Sequence, residues 1–339
     1  MLVHTIYDIA RVANVSKSTV SRVLNNQSNI SENARQRVLN AIEELNYQPS
    51  KLARGLSNGF DAIMIVSRSS STTNHNPFFS EVIHTISKRA ENENFDVILQ
   101  TSKNGKDEFD KCITKIKEKM AKGIIMLSSP ANEEFFEKLD VFNIPIVVIG
   151  KVEGQYNNII SVDTDNFRDS YRLTEHLIKY GHQDIACLHS SLNYHVSIDR
   201  LEGYKACMND YGITAREEWV IDCGYTTDSA YKSAIKLFSN NKKPTAVLAT
   251  DDLKVMGIYK AAAENGITIP KDLSIVGYSN SSFSPFLSPS LTTVEIPVEK
   301  LAEAATDSLF TKIKKQEIHM QNIIPTRILN QDSVSNIKQ

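Results

Sequence analysis

The sequence predicts an α/β protein in which a small all-α helix-turn-helix headpiece precedes a two-lobed core of parallel, doubly wound sheets. Three observations predict it. With 339 residues the chain exceeds the roughly 250 to 300 at which a single hydrophobic core stops growing, so two or three domains are expected. Apolar spacing is helical at the start of the chain, whereas from Asp61 onward short β-branched runs alternate with longer helical patterns. Charge divides at the same place. Arg11, Lys17, Arg22, Arg35, Arg37, Lys51 and Arg54 against Asp8, Glu32, Glu43 and Glu44 give residues 1–60 a net +3, leaving −5 for the rest of a chain whose total is −2.

Thr5-Ile6-Tyr7-Asp8 has the form of a capping box, so a helix should run from Ile6 to about Ala13. Asn14 tolerates left-handed backbone, and Ser16 can cap a second helix carrying Thr19, Val20, Arg22, Val23 and Leu24. Ile9, Ala10, Ala13, Val15, Val20 and Val23 fall where two crossing helices meet. Lys17, Ser18, Ser21, Arg22 and Asn25 point elsewhere and form the candidate DNA-reading face. A third helix from near Ser31, with Ala34, Val38, Ala41, Ile42 and Leu45 at helical spacing, closes the head and ends at Asn46-Tyr47-Gln48-Pro49. The stretch Ser50-Lys51-Leu52-Ala53-Arg54-Gly55-Leu56 falls short of the roughly 12 residues an isolated helix needs, and would fold only against a surface.

The run TIYDIARVANVSKSTVSRVLN, continuing through ISENARQRV and LNYQP to ARGL, resembles the headpiece of the lactose/galactose repressor (LacI/GalR) family almost residue by residue. That resemblance implies a second helix in the major groove, with Lys17, Ser18 and Arg22 as base readers, and a hinge that folds on operator DNA with Leu56 as a minor-groove wedge. Thr5, Tyr7, Ser16, Thr19, Ser21, Asn25 and Ala53 complete the implied DNA-binding set. The chemistry agrees. Lysine and arginine donate to guanine edges or phosphates, a serine hydroxyl suits either contact, and apolar wedges unstack base steps. Gly55 weakens the hinge helix and makes it more dependent on DNA. The plainer reading is a solvated helix face and a linker leucine.

In the body, Ala62–Val66, Val97–Leu99, Gly123–Leu127 and Ile146–Ile149 read as buried parallel strands, with helices near 79–93, 108–120 and 133–141. A second series, Ile185–Leu188, Trp219–Ile221, Ala246–Ala249 and Leu273–Val276, alternates with helices near 166–180, 198–211, 229–239 and 252–265. Two such sheets imply two lobes with a ligand cleft at the carboxyl ends of their strands. The landmarks VDTDN, YGH, RLEGY, PTAV, ATDD, IPKDLSIVGY and PSLTTV resemble the effector core of the same family, which is similar to periplasmic sugar-binding proteins. The resemblance covers nearly the whole chain and implies three crossings between lobes, near 161, 291 and 322. The expected domains are therefore a headpiece at 1–49, a hinge at 50–60, a first lobe at 61–161 with 292–322, and a second lobe at 162–291 with 323–339.

Sugars need planar hydrogen-bonding side chains for hydroxyls and aromatic faces for ring C–H surface. Phe78 and Phe79 in NPFF match the family's aromatic contact segment, Arg200 its clamping arginine and Tyr225 its aromatic wall. Thr250 and Asp251 end a strand, and Lys151 follows another beside the hinge between lobes. Phe78 and Phe79 can equally be core aromatics, Asp251 a helix cap and Lys151 a solvated charge. The chain departs from the family where an aspartate usually follows G-Y/F: it reads Gly277-Tyr278-Ser279-Asn280, so either Asn280 replaces that acceptor or the ligand is held differently. NPFF, IGK, VDTDN and ATDD together are most similar to repressors of maltose and maltodextrin operons in Gram-positive bacteria, which implies a maltose-type effector.

Other classes find no motif. There is no GxxxxGK[ST], GxSxG or HExxH, so no enzyme is expected. Cys112, Cys187, Cys207 and Cys223 never pair as CxxC and read as buried thiols. His182 reads as a loop residue, and Asp163 and Asp165 are explained by a helix start near Asn166 rather than by a metal. No cofactor is expected beyond a small sugar effector. No run is long enough for a membrane span and the start does not resemble a signal peptide, so a cytoplasmic, nucleoid-associated bacterial protein is expected. The expected partners are a pseudopalindromic double-stranded operator and a second copy of the chain. A tail from Asn330 without leucine heptads favours a homodimer over a tetramer. The alternative is a global carbon regulator whose DNA binding is strengthened by a phosphorylated carrier protein.

Overall fold

Helix α1 (Ile6–Val12) starts where the Thr5 backbone N–H and hydroxyl both donate to the Asp8 carboxylate, at 2.9 Å each. Asn14, at φ 49°, turns the chain into α2 (Lys17–Leu24), where the Ser16 hydroxyl accepts from the Thr19 N–H at 3.1 Å. Ser31 does the same for α3 (Glu32–Glu44), accepting from the Ala34 N–H at 3.4 Å. Ile9, Ala13, Val20, Val23, Val38 and Ala41 are buried together between the three helices. The computed structural model describes residues 4–24, 27–47, 60–68, 76–103 and 105–337. Asn25 and the expected hinge residues Ala53 and Leu56 lie outside the described residues.

The chain divides into two units, Met1–Phe60 and Asp61–Gln339. The second begins with β1 (Ala62–Ser67), α4 (Pro77–Asn92), β2 (Asp96–Thr101), α5 (Gly105–Lys117), β3 (Gly123–Met126), α6 (Glu133–Asp140), β4 (Ile146–Ile149) and β5 (Ile159–Asp163). It continues through α7 (Asn166–Lys179), β6 (Ile185–His189), α8 (His195–Asp210), β7 (Val220–Asp222), α9 (Thr227–Phe238), β8 (Ala246–Ala249), α10 (Asp252–Glu264), β9 (Ser274–Ser279) and β10 (Thr292–Glu295). Helix α11 (Val298–Ile313) and the short strands β11 (Gln321–Ile323) and β12 (Arg327–Leu329) close the chain.

One sheet has the order β2-β1-β3-β4-β5-β11, the other β7-β6-β8-β9-β10-β12. All pairings are parallel except β10 with β12, whose antiparallel edge adds to the expected parallel sheets. Ile63, Ile65, Ile125, Val147 and Ile160 are fully buried, as strands covered on both faces require.

The chain changes sheets after Asp163, after Glu295 and after Ile323, close to the expected 161 and 322 and a strand's length beyond the expected 291. The middle shift moves a whole strand. Thr292–Glu295, expected in the first lobe, hydrogen-bonds β9 in register Thr292 to Val276 and belongs to the second. Its companion α11 does return to the first lobe, where Phe310 meets Phe95 edge-on at 5.0 Å and Asp307 pairs with Arg89. Trp219 lies in a 3-10 turn before β7 instead of in the strand.

The landmark glycine of RLEGY has a packing reason. A Cβ on Gly203 would overlap the Phe167 carbonyl, so α7 and α8 approach this closely only with glycine there. Gly257 lets α10 approach the Thr227 carbonyl in the same way. The four cysteines are buried free thiols, and among the described residues no helix is long and apolar enough to cross a membrane.

Candidate functional site

On α2, burial of Val20 and Val23 turns Lys17, Ser18 and Arg22 outward, with Ser21 and Thr19 half-covered beside them. The Lys17 ammonium donates to the Tyr7 hydroxyl at 3.1 Å and lies 4.7 Å from the centre of that ring. Tyr7 on α1 is itself 64% exposed, so an aromatic and a cation from two helices share one surface. Ser16, Ser18 and Thr19 form a chain of hydroxyls at 2.7 and 2.9 Å around the start of α2. This is a polar, cationic helix start of the kind that phosphates and base edges accept donors from.

In the second unit, the carboxyl ends of both sheets face one cleft. Of the expected residues, Phe78, Phe79, Arg200, Tyr225, Thr250, Asp251 and Ser279 line it together. Phe78 and Phe79 open α4, which Asn76 caps by accepting from the Phe78 N–H at 3.1 Å, and their rings meet edge-on at 5.3 Å. Phe79 is also part of the core, so the aromatic-contact and core readings describe the same residue. Tyr225 is fixed by its hydroxyl, which donates to the Ser191 carbonyl at 3.1 Å.

Arg200 is held on three sides. Its Nε donates to Asn166 Oδ1 at 2.9 Å, one terminal nitrogen donates to the Thr250 carbonyl at 2.5 Å, and its plane covers the Tyr278 ring. Asp251 does two jobs: it caps α10 through the Lys254 N–H at 3.1 Å and pairs with the buried Lys254 ammonium.

Two expected residues are not brought into this cleft. Lys151 is exposed and pairs with Glu153 at 2.7 Å and with Asp199 of α8 at 3.6 Å, so it ties the lobes instead of lining the space between them. Asn280, at φ 52°, turns to Glu295 Oε1 at 3.4 Å. The position of the family's aspartate is therefore met in the cleft by Ser279 alone.

Further lining residues follow strand ends that carry no motif, Arg68 after β1, Ser128 and Ser129 after β3 and Ser190 after β6, together with Asp163 of β5, expected only beside a helix start. Their common signal is a polar residue one or two positions after a buried apolar run. Arg68 is the most telling. Its guanidinium lies 4.3 Å from the Tyr194 ring centre, 5.2 Å from that of Phe79 and 5.4 Å from that of Tyr225.

Burial pushes the Asp163 carboxyl up to about 7, against the Thr164 N–H and Asn166 amide that bond it and the nearby Arg200. Asp165 caps α7 and His182 bonds Thr245 and the Ser335 carbonyl, both structural roles. Backbone bonds from Ala131 to Asn193 and from His195 to Ser129, both 3.0 Å, stitch the lobes together beside the cleft.

A helix-turn-helix unit joined to a two-lobed parallel α/β core with a cleft at its strand ends has the architecture of a DNA-binding regulator. Residues 5–50 match the family described as bacterial regulatory proteins, lacI family, and residues 174–334 match a periplasmic binding protein-like domain. The HTH-type transcriptional repressor PurR of Proteus mirabilis is 33% identical over 337 residues, covering 98% of this chain and 97% of that one. The HTH-type transcriptional regulator MalR of Clostridium butyricum is 33% identical over 339 residues, covering 98% and 99%. A LacI family transcriptional regulator from Enterococcus faecium, solved with bound ribose, aligns with TM-score 0.70 and 25% identity over 81% of this chain and 100% of its own. The chain belongs to the LacI family. It is a DNA-binding transcriptional repressor and not an enzyme.

Proposed function

We propose that the protein represses a sugar-utilisation operon and leaves its operator when a small sugar of maltose type binds between the lobes. One observation carries this reading: an aromatic wall of Phe78, Phe79 and Tyr225 shares the cleft with the hydrogen-bonding groups of Asn166, Arg200, Asp251 and Ser279. Aromatic faces take the C–H surface of a sugar ring, and fixed donors and acceptors take its hydroxyls. The ribose in the Enterococcus faecium relative supports a sugar, and the similarity of NPFF, IGK, VDTDN and ATDD to maltose-operon repressors supports its type.

In the head, Lys17, Ser18 and Arg22 read bases in the major groove, while Thr5, Tyr7, Ser16, Thr19, Ser21 and Asn25 hold the frame. Ala53 and Leu56 engage the minor groove. Two copies bind a pseudopalindrome in the cytoplasm as a homodimer, and effector closure changes the lobes so that the paired hinges separate. No observation favours the alternative in which a phosphorylated carrier protein strengthens DNA binding.

Calorimetry of the full chain against maltose, glucose and ribose tests the effector. Saturable binding of one sugar per chain is expected, with maltose strongest; heat of dilution alone for every sugar refutes it.

A further inference from the structure

Seven buried side-chain atoms have no hydrogen-bond partner among the described residues, and five of them belong to four residues of the first lobe: Arg68 Nε, Gln100 Nε2, both carboxyl oxygens of Glu108, and Ser128 Oγ. The fold brings these four to one place. Side chains alternate across a sheet, so Arg68, Gln100 and Ser128 share the face of Val66 and Met126, which pair across β1, β2 and β3 in register. That is the face α5 covers, where Glu108 stands one turn before Cys112, a member of the same cluster as Val66 and Met126. Arg68 and Ser128 also line the cleft. The Arg68 guanidinium lowers the Glu108 carboxyl against the burial that raises it, and both groups act on Tyr194, whose ring Arg68 faces at 4.3 Å.

Buried donors and acceptors left without partners are costly, and native proteins keep few of them. Two of the four, Arg68 and Ser128, line the ligand cleft, and Gln100 and Glu108 are buried behind that lining, so a group reaching in from the cleft would complete the set. A phosphate would meet the Glu108 carboxylate, and an amine would meet the Arg68 guanidinium. A hydroxyl both donates and accepts, and so answers the carboxyl and the guanidinium at once. Burial lifts the Glu108 carboxyl to about 7, near the point where it too can donate or accept.

We infer that Arg68, Gln100, Glu108 and Ser128 form a hydroxyl-reading end wall that selects a neutral sugar over a phosphorylated or cationic ligand. The inference rests on the cleft being the effector site and adds the ligand's charge class and the residues that read it.

The test compares the wild-type full chain with Glu108→Leu, Glu108→Gln and Arg200→Ala, using calorimetry with maltose, glucose and glucose 6-phosphate together with thermal unfolding. Glu108→Leu should weaken the best neutral sugar about tenfold or more, the equivalent of one charged hydrogen bond. The same variant should unfold at a higher temperature than wild type, because it removes a buried carboxyl that has no protein partner. Glu108→Gln, which keeps donor and acceptor, should retain most of the affinity. A merely structural Glu108 would lower the unfolding temperature on replacement and leave affinity alone. If a neutral sugar binds in an Arg200-dependent way but is indifferent to Glu108→Leu, or if glucose 6-phosphate binds best, the end wall is wrong while the effector site stands. If no sugar binds the wild type, both fall.

Discussion

The guanidinium carbon of Arg200 lies 3.8 Å from the centre of the Tyr278 ring, while the Tyr278 hydroxyl donates at 2.9 Å to the carbonyl of Asn166, whose side chain in turn accepts from Arg200 Nε. Helices α7 and α8 and strand β9 thus converge on one cation, held before any ligand arrives. Preorganised groups bind without the ordering cost a free side chain would incur. Arg200→Ala should abolish the response to effector while leaving operator affinity in its absence unchanged. Arg200→Lys should do nearly the same, because an ammonium cannot reproduce the planar fork. Loss of operator binding in either variant would give Arg200 a structural role instead.

Gly203 sets how closely α7 and α8 approach. Gly203→Ala should destabilise the protein by about 1–3 kcal/mol, the usual range for overpacking, since the obstructing atom is a backbone carbonyl that cannot rotate away. Arg200 sits on one of these helices and Asn166 on the other, so sugar affinity should fall with stability. Thermal unfolding and calorimetry on the same sample read both; an unchanged melting temperature would contradict the packing argument.

Asp252 gives a pH dependence with a defined sign. Burial pushes its carboxyl from the ordinary 3.8 up to about 6, against the bonds it accepts from the Ser281 N–H and Ser284 hydroxyl. A carboxyl raised in the folded state adds stability that is complete below its unfolded value and is lost as pH climbs through the folded one. Relative to Asp252→Asn, the wild type should therefore lose unfolding temperature as pH rises from about 4 to about 7. Parallel curves for the two proteins would show that Asp252 does not titrate in this way.

For the head, Lys17→Ala and Arg22→Ala should each weaken operator binding. Loss of a base contact costs about 1–3 kcal/mol and relaxes sequence preference, whereas loss of a phosphate contact lowers the salt slope by about 1. Binding isotherms at several salt concentrations separate the two. Unaltered affinity in both variants would return the exposed face of α2 to the solvated reading.

The parts of the fold that sequence displays are those governed by neighbours in the chain. Thr5 with Asp8, Ser16 and Ser31 mark helix starts because capping is local, and Ile63, Val147 and Val247 mark strands because both faces of a parallel sheet are buried. β10 was harder to place because its first two residues are threonines. Thr292 is buried through bonds to Gln331 and Ser333, about forty residues away, and its pairing with β9 decides which sheet owns the strand. β11 and β12 have three residues each and no apolar run. In the site, Arg200 and Tyr225 match family positions, but no local pattern marks Arg68, whose surroundings are Tyr194 and Tyr225 from the other lobe. Asn280 is the opposite case, since a left-handed backbone turns it toward Glu295 and leaves Ser279 in the cleft.

Release from DNA by a neutral sugar in the cleft joins the head to the core in the proposed function. It is tested most directly by fluorescence anisotropy of a labelled operator, selected from random duplexes by the full-length protein and titrated with maltose at fixed salt. Wild type should show a saturable fall in anisotropy and Arg200→Ala none, with the two proteins binding the operator equally well before sugar is added. Unchanged operator affinity in wild type across maltose, glucose and ribose would contradict it.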